Sequence, residues 1–215
     1  MSAPNKTLFR KTQGFFLAKV QKHVYQRRVL YVMDRDLSLP DPVIPQGKNS
    51  PMWEDEQNKF TMPLATHENI DGMAAHFPPS KLKILHNRVD DPAIDFTFAP
   101  KEDGSCWGYL MHAIAPYYEK LYNYTVDPGK SGVYQFDGWV NPHDRGRLVA
   151  ILGIIFMFNR RRQEGYRRIR VIVWANDTRS LRLHKRFGFQ EVQRLLYTRL
   201  GPFRWTRALP GPTVD

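Results

Sequence analysis

An apolar run from Leu148 to Phe158 constrains this chain more than any other feature. Arg147 precedes the run and the basic segment Arg160–Arg162 follows it, so the run begins and ends sharply. A membrane-spanning helix needs roughly 20 apolar residues, and shorter runs of about 10–14 are more often buried core helices. A helix that is apolar all round must be covered on every side. We therefore predict a buried helix over 148–163, packed on a sheet.

The composition is that of a folded protein with a strong positive charge. The chain has 215 residues, 32 of them Lys or Arg and 21 Asp or Glu, and a formal net charge of +11. With 42% hydrophobic and 13% aromatic residues, it is too apolar for a disordered chain. Cys106 is the single cysteine, which excludes an internal disulfide and a cysteine-rich zinc site. The charge calls for a partner: nucleic acid, an anionic membrane, an acidic protein or a phosphorylated ligand.

The first 27 residues form a separate basic segment. Phe9 and Phe16 recur at near-helical spacing among Lys and Arg residues, so we predict a helical segment over 1–27, packed on or appended to the domain. Weak association with an anionic membrane surface is the alternative. Basic residues interrupt this segment too often for a secretory leader, so we expect a cytoplasmic protein. A single domain is predicted over 28–207 and a flexible tail over 208–215.

The order of predicted elements indicates a mixed sheet with helices packed on it. A hairpin comes first, with an Asp-Gly turn, and a β-α-β-α-β series follows it. The Tyr-rich stretch 116–131 is interpreted as a short helix and a loop. Strands are predicted at 28–37, 94–99, 106–114, 132–140, 168–174 and 191–199, with Arg204–Thr206 continuing or pairing with the last, and helices at 67–77, 80–88, 148–163 and 178–186.

The strand, loop and helix at 132–163 suit a phosphate. The first backbone N–H groups of a helix have no internal partner, and the helix dipole favours an anion there. Arg145 and Arg147 flank Gly146 at this point and add two positive charges. A rigid buried helix with a cationic start favours a pyrophosphate. An ordinary turn with two solvated arginines is the alternative.

A second strand, loop and helix at 168–189 makes the pattern specific. The segment Ser180–Phe189 reads SLRLHKRFGF, and the segment Val140–Ala150 reads VNPHDRGRLVA. Together they resemble the two sequence motifs of the GCN5-related N-acetyltransferases, in the order and at the separation found in that superfamily. The resemblance covers about residues 132–205, and the first half of the chain matches only in the order of its elements.

The resemblance implies a fold and a co-substrate. The fold is a mixed, mostly antiparallel central sheet (α/β, or α+β) with splayed strands and flanking helices. The co-substrate is acetyl-CoA or another acyl-CoA, and no metal is implied. Leu148 departs from the family motif, which has glycine there so that the backbone can approach a phosphate. The implied acyl-CoA-binding residues are Trp139, Val140, Arg145, Gly146, Arg147, Leu148, Val149, Ala150, Asn176 (or Asp177, after a one-residue slip), Ser180 and Arg186.

The resemblance also suggests two catalytic residues. His184 aligns with a family position that is often a tyrosine acting as general acid toward the leaving thiolate, and imidazole has a suitable ordinary pKa of about 6.5. A half-buried histidine bonded to backbone is the alternative. Asp137 is the best acidic candidate for the general base, with a water chain as the alternative. Cys106 is interpreted as a buried strand residue, because lone cysteines are commonly core residues.

The predicted activity is transfer of an acetyl or acyl group from acyl-CoA to a primary amine of an unidentified small molecule or protein. A longer acyl-CoA or an acyl-carrier-protein donor is a second interpretation, because an acidic carrier would suit the basic surface. A non-catalytic binding module for nucleic acid or anionic lipid is a third, although no nucleic-acid-binding motif is present. A homodimer is left open.

Overall fold

A seven-stranded sheet forms the centre of the protein. The computed structural model describes residues 25–42, 60–145 and 148–210. The strands of the sheet are β1 (Tyr25–Asp36), β2 (Ile94–Pro100), β3 (Cys106–Ala113), β6 (Gly132–Val140), β7 (Arg168–Trp174), β8 (Gln190–Leu200) and β9 (Phe203–Ala208). Their spatial order is β2-β3-β6-β7-β1-β8-β9. Within this sheet β6 and β7 run parallel and the other neighbours antiparallel, which confirms a mixed, mostly antiparallel sheet.

Helices cover both faces of the sheet. They are α1 (His67–Gly72), α2 (Pro79–Val89), α3 (Val149–Gln163) and α4 (Thr178–Arg186), with short 3₁₀ turns at Ala74–His76 and Pro142–Asp144. Successive side chains of a strand point to opposite faces. On β6, Val133 packs in one core with α3, whereas Tyr134 packs in another core with α1 and α2. We call these the α3 face and the α2 face.

The helix predicted over 148–163 is present and buried. Met157 and Phe158 are fully covered, and Ile154 packs with the strands of the α3 face. The run is apolar because the helix contacts protein on nearly every side. Among the residues that the structure describes, no helix is long and apolar enough to cross a bilayer.

Local signals set the ends of two helices. Thr66 caps α1 through a reciprocal pair of hydrogen bonds with Asn69, at 3.3 and 2.9 Å. The following helix was predicted from residue 80, and α2 begins one residue earlier, at Pro79. Proline suits a first helical position because its fixed φ fits and it needs no hydrogen-bond partner there.

The Tyr-rich stretch differs from the prediction. It forms a small hairpin of β4 (Tyr117–Glu119) and β5 (Tyr124–Val126) instead of a short helix. Asn123 adopts a left-handed φ of 50° at the turn, a conformation that asparagine tolerates better than most residues. Tyr117 stacks on Phe136 of β6, so the hairpin lies on the α2 face of the sheet.

The structure covers part of each segment predicted to flank the domain. β1 begins at Tyr25, so the last residues of the segment predicted over 1–27 belong to the sheet. The rest of that segment lies outside the described residues. Arg204–Thr206 pairs with the preceding strand, as one of the two predictions for it had it, within β9. The predicted tail begins at the last residue of β9, and 211–215 lies outside the described residues.

Candidate functional site

Strands β6 and β7 part from each other halfway along their length. Their parallel pairing runs from Gly132 and Arg168 to Gln135 and Val171, and stops there. Beyond that point each strand stays bound on its outer side. β6 continues to pair with β3 as far as Val140, and β7 with β1 as far as Trp174. The predicted splay is therefore present, and the inner edges of both strands are not paired with each other along it.

A cleft of about 300 Å³ opens at this splay. Strands β3, β6 and β7 and helices α3 and α4 provide most of its walls. The lining is mainly apolar, with a few polar groups from Gln135, Asp137, Ser180 and His184. Such a site can hold a long ligand while a small number of polar groups fix its position.

A bulge lies in β6 beside the cleft. Tyr109 pairs with Trp139 and Met111 with Phe136, so two residues of β6, Asp137 and Gly138, face one residue of β3. Asp137 has a left-handed φ of 45°. A bulge bends its strand and redirects a side chain, and it is typical next to functional sites.

The start of α3 borders the cleft. Val149 and Ala150 of its first turn line it. Leu148, the N-cap, makes no side-chain capping hydrogen bond, and the first turn has no acidic residue. The first N–H groups of α3 are therefore not bonded by a capping side chain, which suits an anion. Arg145 is exposed just before the helix.

His184 lies in the last turn of α4 and lines the cleft. It is 9% exposed, packs edge-on against Phe189, and its Nδ1 lies 2.8 Å from the carbonyl oxygen of Ser180. A carbonyl only accepts, so Nδ1 carries the proton of the neutral ring and Nε2 is the nitrogen left for a ligand. Burial lowers the pKa of His184, against the opposing effects of the Ser180 hydrogen bond and of Asp177. The imidazole is therefore mostly neutral near pH 7.

Asp137 is bound by three donors on the α2 face. Lys81 Nζ lies 2.6 Å from its Oδ2, Tyr109 Oη lies 3.2 Å from its Oδ1, and Arg88 pairs with Oδ2. Burial acts to raise the pKa of Asp137, but the hydrogen bonds and charges of Lys81 and Arg88 outweigh it, and the net shift is downward. The carboxylate is thus ionised and has little tendency to accept a proton.

Aromatic rings form a wall next to Asp137. Trp139 stacks on Tyr109 with ring centroids 5.9 Å apart, and Phe77 lies 4.9 Å from Trp139. Tyr117 of the hairpin stacks on Phe136, with ring centroids 4.3 Å apart. Burial, with the nearby Asp137 charge, raises the pKa of Tyr109 far above its ordinary value, so its hydroxyl stays protonated.

The structure brings some of the predicted residues together and leaves others apart. The cleft lining does not include Arg145, Leu148, Asn176 or Arg186; Asn176 and Arg186 are exposed. Gly146 and Arg147 lie outside the described residues. Asp177, the alternative to Asn176, is the N-cap of α4 and accepts a hydrogen bond from the Ser180 N–H at 3.0 Å. The predicted residues that share the cleft are Asp137, Trp139, Val140, Val149, Ala150, Ser180 and His184.

The prediction did not identify two groups of residues at the site. One is the lining contributed by β3 and β7, including Leu110 and Val173. The other is the pair Lys81 and Arg88, which holds Asp137. These two cations are seven residues apart, hence on one side of a helix, and this spacing is the signal that could have found them.

Cys106 is buried, as predicted for a strand residue. It is 3% exposed, and burial raises the pKa of its thiol to about 11. A thiol in this environment is not a nucleophile at neutral pH, because the thiolate is the reactive form. The described residues contain no group of three or more side chains arranged to hold a metal ion.

Comparisons with known proteins give similarity in fold. No protein-family model and no curated protein matches the sequence. A GCN5-related N-acetyltransferase from Sphaerobacter thermophilus is similar with a TM-score of 0.52 and 20% identity, over 91% of this chain and 57% of that chain. A tandem GNAT protein from the clavulanic acid biosynthesis pathway has a TM-score of 0.52 and 14% identity, over 93% and 59%.

A third solved structure extends the comparison to a fungal protein. The glucosamine N-acetyltransferase region of a fungal multi-domain β-N-acetylglucosaminidase has a TM-score of 0.53 and 18% identity, over 92% of this chain and 22% of that one. The chain therefore spans less than two thirds of each of these three structures. All three are described as acetyltransferases or GNAT proteins, and the fold of this chain is theirs.

Proposed function

We propose that this chain, which has the fold of the GCN5-related N-acetyltransferases, transfers an acetyl or acyl group from acyl-CoA to a primary amine. The observation that carries the proposal is the parting of β6 and β7. Each strand is paired on its outer side, so the cleft is held open by the sheet itself. Two free strand edges offer backbone donors and acceptors to an arm that contains amide groups.

The pantetheine arm of the coenzyme is such an arm. We place it against Gly138, Trp139 and Val140, whose inner edge is free in the cleft. Its pyrophosphate would lie at the start of α3, on the N–H groups of the segment 145–150, where Arg145 adds a positive charge. Leu148 then contributes its N–H with its side chain turned away. Ser180 lines the cleft, and the exposed Asn176 and Arg186 are assigned to the part of the coenzyme outside it.

The proposed reaction is direct attack. The amine nitrogen bonds to the carbonyl carbon of the thioester, the carbon–sulfur bond breaks, and the amine loses one proton while the thiolate gains one. Backbone N–H groups of the parted strand would stabilise the oxyanion that forms between these steps.

Two side chains bear on the proton transfers. His184 would protonate the leaving thiolate through Nε2, which requires the ring to be cationic at that moment. Asp137 belongs to the bulge itself, but its lowered pKa makes it a weak proton acceptor. We therefore assign the proton of the amine to a water chain, and to Asp137 the task of holding Lys81 and Arg88.

Calorimetry with acetyl-CoA tests the proposal. We expect saturable binding by the wild-type chain, weakened by about tenfold in Arg145→Glu, because a charge reversal next to the pyrophosphate costs roughly 1.4 kcal/mol or more. Arg204→Glu is the matched control, since Arg204 is an exposed arginine on β9. It should bind as the wild type does.

The outcomes separate the candidate functions. Absence of binding at millimolar acetyl-CoA would rule out the acyl-CoA reaction and favour a binding module. Binding without any release of free CoA thiol over a broad panel of amines would favour the same alternative. Equal weakening by both arginine variants would mean that only overall charge matters.

A longer acyl group is the second candidate, and one observation favours it. Met62, Ala99 and Leu110 extend the lining of the cleft with apolar side chains on the α3 face. This apolar part of the lining is larger than an acetyl group requires and could bind a longer acyl chain. Medium-chain acyl-CoA should then compete with acetyl-CoA at lower concentration, and a leucine-sized block at Ala99 should remove that advantage. The same reaction with an acidic acyl carrier protein would show the same chain-length preference.

A further inference from the structure

Two cations of α2 converge on one carboxylate at the bulge. Lys81 Nζ lies 2.6 Å from Asp137 Oδ2, and Arg88 binds the same oxygen. We call Lys81 and Arg88 the α2 basic pair. Asp137 lines the cleft, and the pair, which is not part of the lining itself, contacts Asp137 from α2.

The pair carries more positive charge than Asp137 neutralises. The attraction of Asp137 and Tyr117 outweighs burial and raises the pKa of Arg88, so the guanidinium stays charged. Glu119 is a second carboxyl group on which the charge of Arg88 acts. Its pKa is raised because burial outweighs the hydrogen bond from Tyr134 and the attraction of Arg88. The Glu119 carboxyl group accepts a hydrogen bond from the hydroxyl of Tyr134 at 3.1 Å.

The surplus cation is partly shielded from water. The side chains of Lys81 and Arg88 are 27% and 18% exposed, and the rings of Tyr109 and Phe136 lie under them at 5.9 and 5.0 Å. Removing a charge from water costs free energy unless a partner compensates it. A single cation would suffice to neutralise Asp137, so the second is not explained by this ion pair.

The α2 basic pair retains donors for a ligand. An ammonium has three N–H donors, and Asp137 takes one from Lys81. Arg88 uses Nη1 on Asp137, and its Nη2 lies at a long 3.4 Å from the hydroxyl of Tyr117. A planar guanidinium beside an ammonium is a common arrangement for binding a carboxylate or a phosphate.

We propose that the acceptor is a primary amine that carries an anionic group, a carboxylate or a phosphate, which the α2 basic pair binds at the side of the cleft. The inference rests on the proposed function and names the substrate class of the same site. The aromatic wall of Phe77, Tyr109 and Trp139 would contact the body of such an acceptor. Polycationic amines are disfavoured, because a second ammonium would meet Lys81 and Arg88.

The test compares matched amines with acetyl-CoA as the donor, by release of free CoA thiol. Phenylalanine is paired with phenylalaninamide, O-phosphoethanolamine with ethanolamine, and spermidine represents polycations. We expect an anionic member to exceed its neutral partner by about tenfold or more in kcat/KM, as for one added charge contact. A difference within the phenylalanine pair of amines indicates that the anionic group is a carboxylate, and a difference within the ethanolamine pair indicates a phosphate.

Two lysine variants make the test specific. Lys81→Met should reduce the preference for the anionic amine severalfold or more while acetyl-CoA binding in the calorimeter stays unchanged. Lys83→Met removes an exposed cation from the same helix and should keep the preference. Retained acetyl-CoA binding also shows that the Lys81 variant is folded.

The results that overturn the inference differ from those that overturn the function. No binding of acetyl-CoA by the wild type contradicts the proposed function itself. Binding of acetyl-CoA together with faster turnover of the neutral amines or of spermidine contradicts only the inference, as does turnover of none of the anionic amines. An unchanged anionic preference in Lys81→Met contradicts it as well.

Discussion

Asp137 combines an uncommon backbone conformation with a concentrated charge. Its φ of 45° is tolerated best by Gly, Asn and Asp, and its carboxylate holds Lys81 and Arg88. We expect Asp137→Asn to lower the free energy of unfolding by about 1–3 kcal/mol, since it leaves partly buried cations without their partner. Asp137→Ala should lose about 1 kcal/mol more, because alanine is strained in this conformation. Urea unfolding of the two variants measures both amounts, and equal losses would contradict the backbone argument.

The same residue gives a pH dependence with a definite sign. The pKa of Asp137 is lowered in the folded protein, so its ion pairs stabilise the fold above the unfolded value of about 3.9 and cease to do so as the pH falls through the lower folded value. The difference in unfolding free energy between wild type and Asp137→Asn should therefore be constant near neutral pH and shrink in acid. A difference that persists at acidic pH would show that the loss has another cause.

His184 offers a kinetic prediction. A general acid must be protonated, and burial lowers the pKa of His184 below its ordinary value. Its contribution to the rate should then be present at low pH and lost as the pH rises through that lowered pKa. His184→Gln should reduce kcat by about 100-fold at acidic pH and by less at pH 8. His86→Gln, a histidine outside the cleft, is the control; rates within about threefold of wild type for both variants would assign His184 to packing.

At the scale of elements, β3 must approach β6 closely to allow the bulge. A Cβ atom built on Gly108 would lie 2.2 Å from the carbonyl oxygen of Trp139, a backbone atom that cannot turn aside. We expect Gly108→Ala to displace the end of β6 and to cost about 1–3 kcal/mol, as strain from overpacking does. Thermal unfolding measures the loss of stability. Calorimetry with acetyl-CoA measures whether displacement of β6 weakens binding of the coenzyme.

Gly72→Ala is the matched control for this prediction. A Cβ at Gly72, at the end of α1, would have nothing within 4 Å. Its stability should be unchanged or slightly raised, because alanine is the better helix residue. Similar behaviour of the two variants would mean that the approach of β3 to β6 is not essential.

Elements with strong local signals could be predicted from the sequence. The helix over 148–163 followed from its continuous apolar run. The helix predicted at 178–186 matches α4, and Gly188 just beyond it has a φ of 79°, as suits a glycine after a helix end. The phosphate site at the start of α3 was inferred from the general properties of a helix terminus and stays a prediction, although Val149 and Ala150 of that turn line the cleft. These signals need no knowledge of distant residues.

Elements that depend on tertiary contacts could not be predicted. The strands β4 and β5 have three residues each, too few for a periodic pattern, and their hairpin is held by Tyr117 on Phe136 and Tyr122 on Trp174. Similarly, Lys81 lies 56 residues from Asp137 in the chain. Only the placement of α2 on the sheet shows that Asp137 has two cationic partners and is a weak proton acceptor.

At the scale of the whole molecule, one buried arginine connects α3 to strands β2 and β3. Arg161 of α3 is 1% exposed, pairs with Asp95 of β2 and lies 2.5 Å from Glu164. Its Nη2 also lies 3.4 Å from Nδ1 of His112, a fully buried ring on β3. Burial, reinforced by the charge of Arg161, lowers the pKa of His112, so the ring is a neutral acceptor toward the guanidinium.

Removing Arg161 should therefore destabilise the molecule as a whole. Arg161→Met keeps most of the buried apolar stem but leaves Asp95 and His112 without their donor, and we expect a loss of about 3–5 kcal/mol in urea unfolding. Arg160→Met is the matched control, since Arg160 is the next residue and also pairs with Glu164, on the protein surface; it should lose about 0.5 kcal/mol. Because neither Arg161 nor its partners line the cleft, the folded fraction of Arg161→Met should bind acetyl-CoA with wild-type affinity. If fully folded Arg161→Met binds acetyl-CoA more weakly than the wild type, Arg161 fixes the position of α3. If the two variants lose equal stability, the buried network adds nothing beyond a surface ion pair.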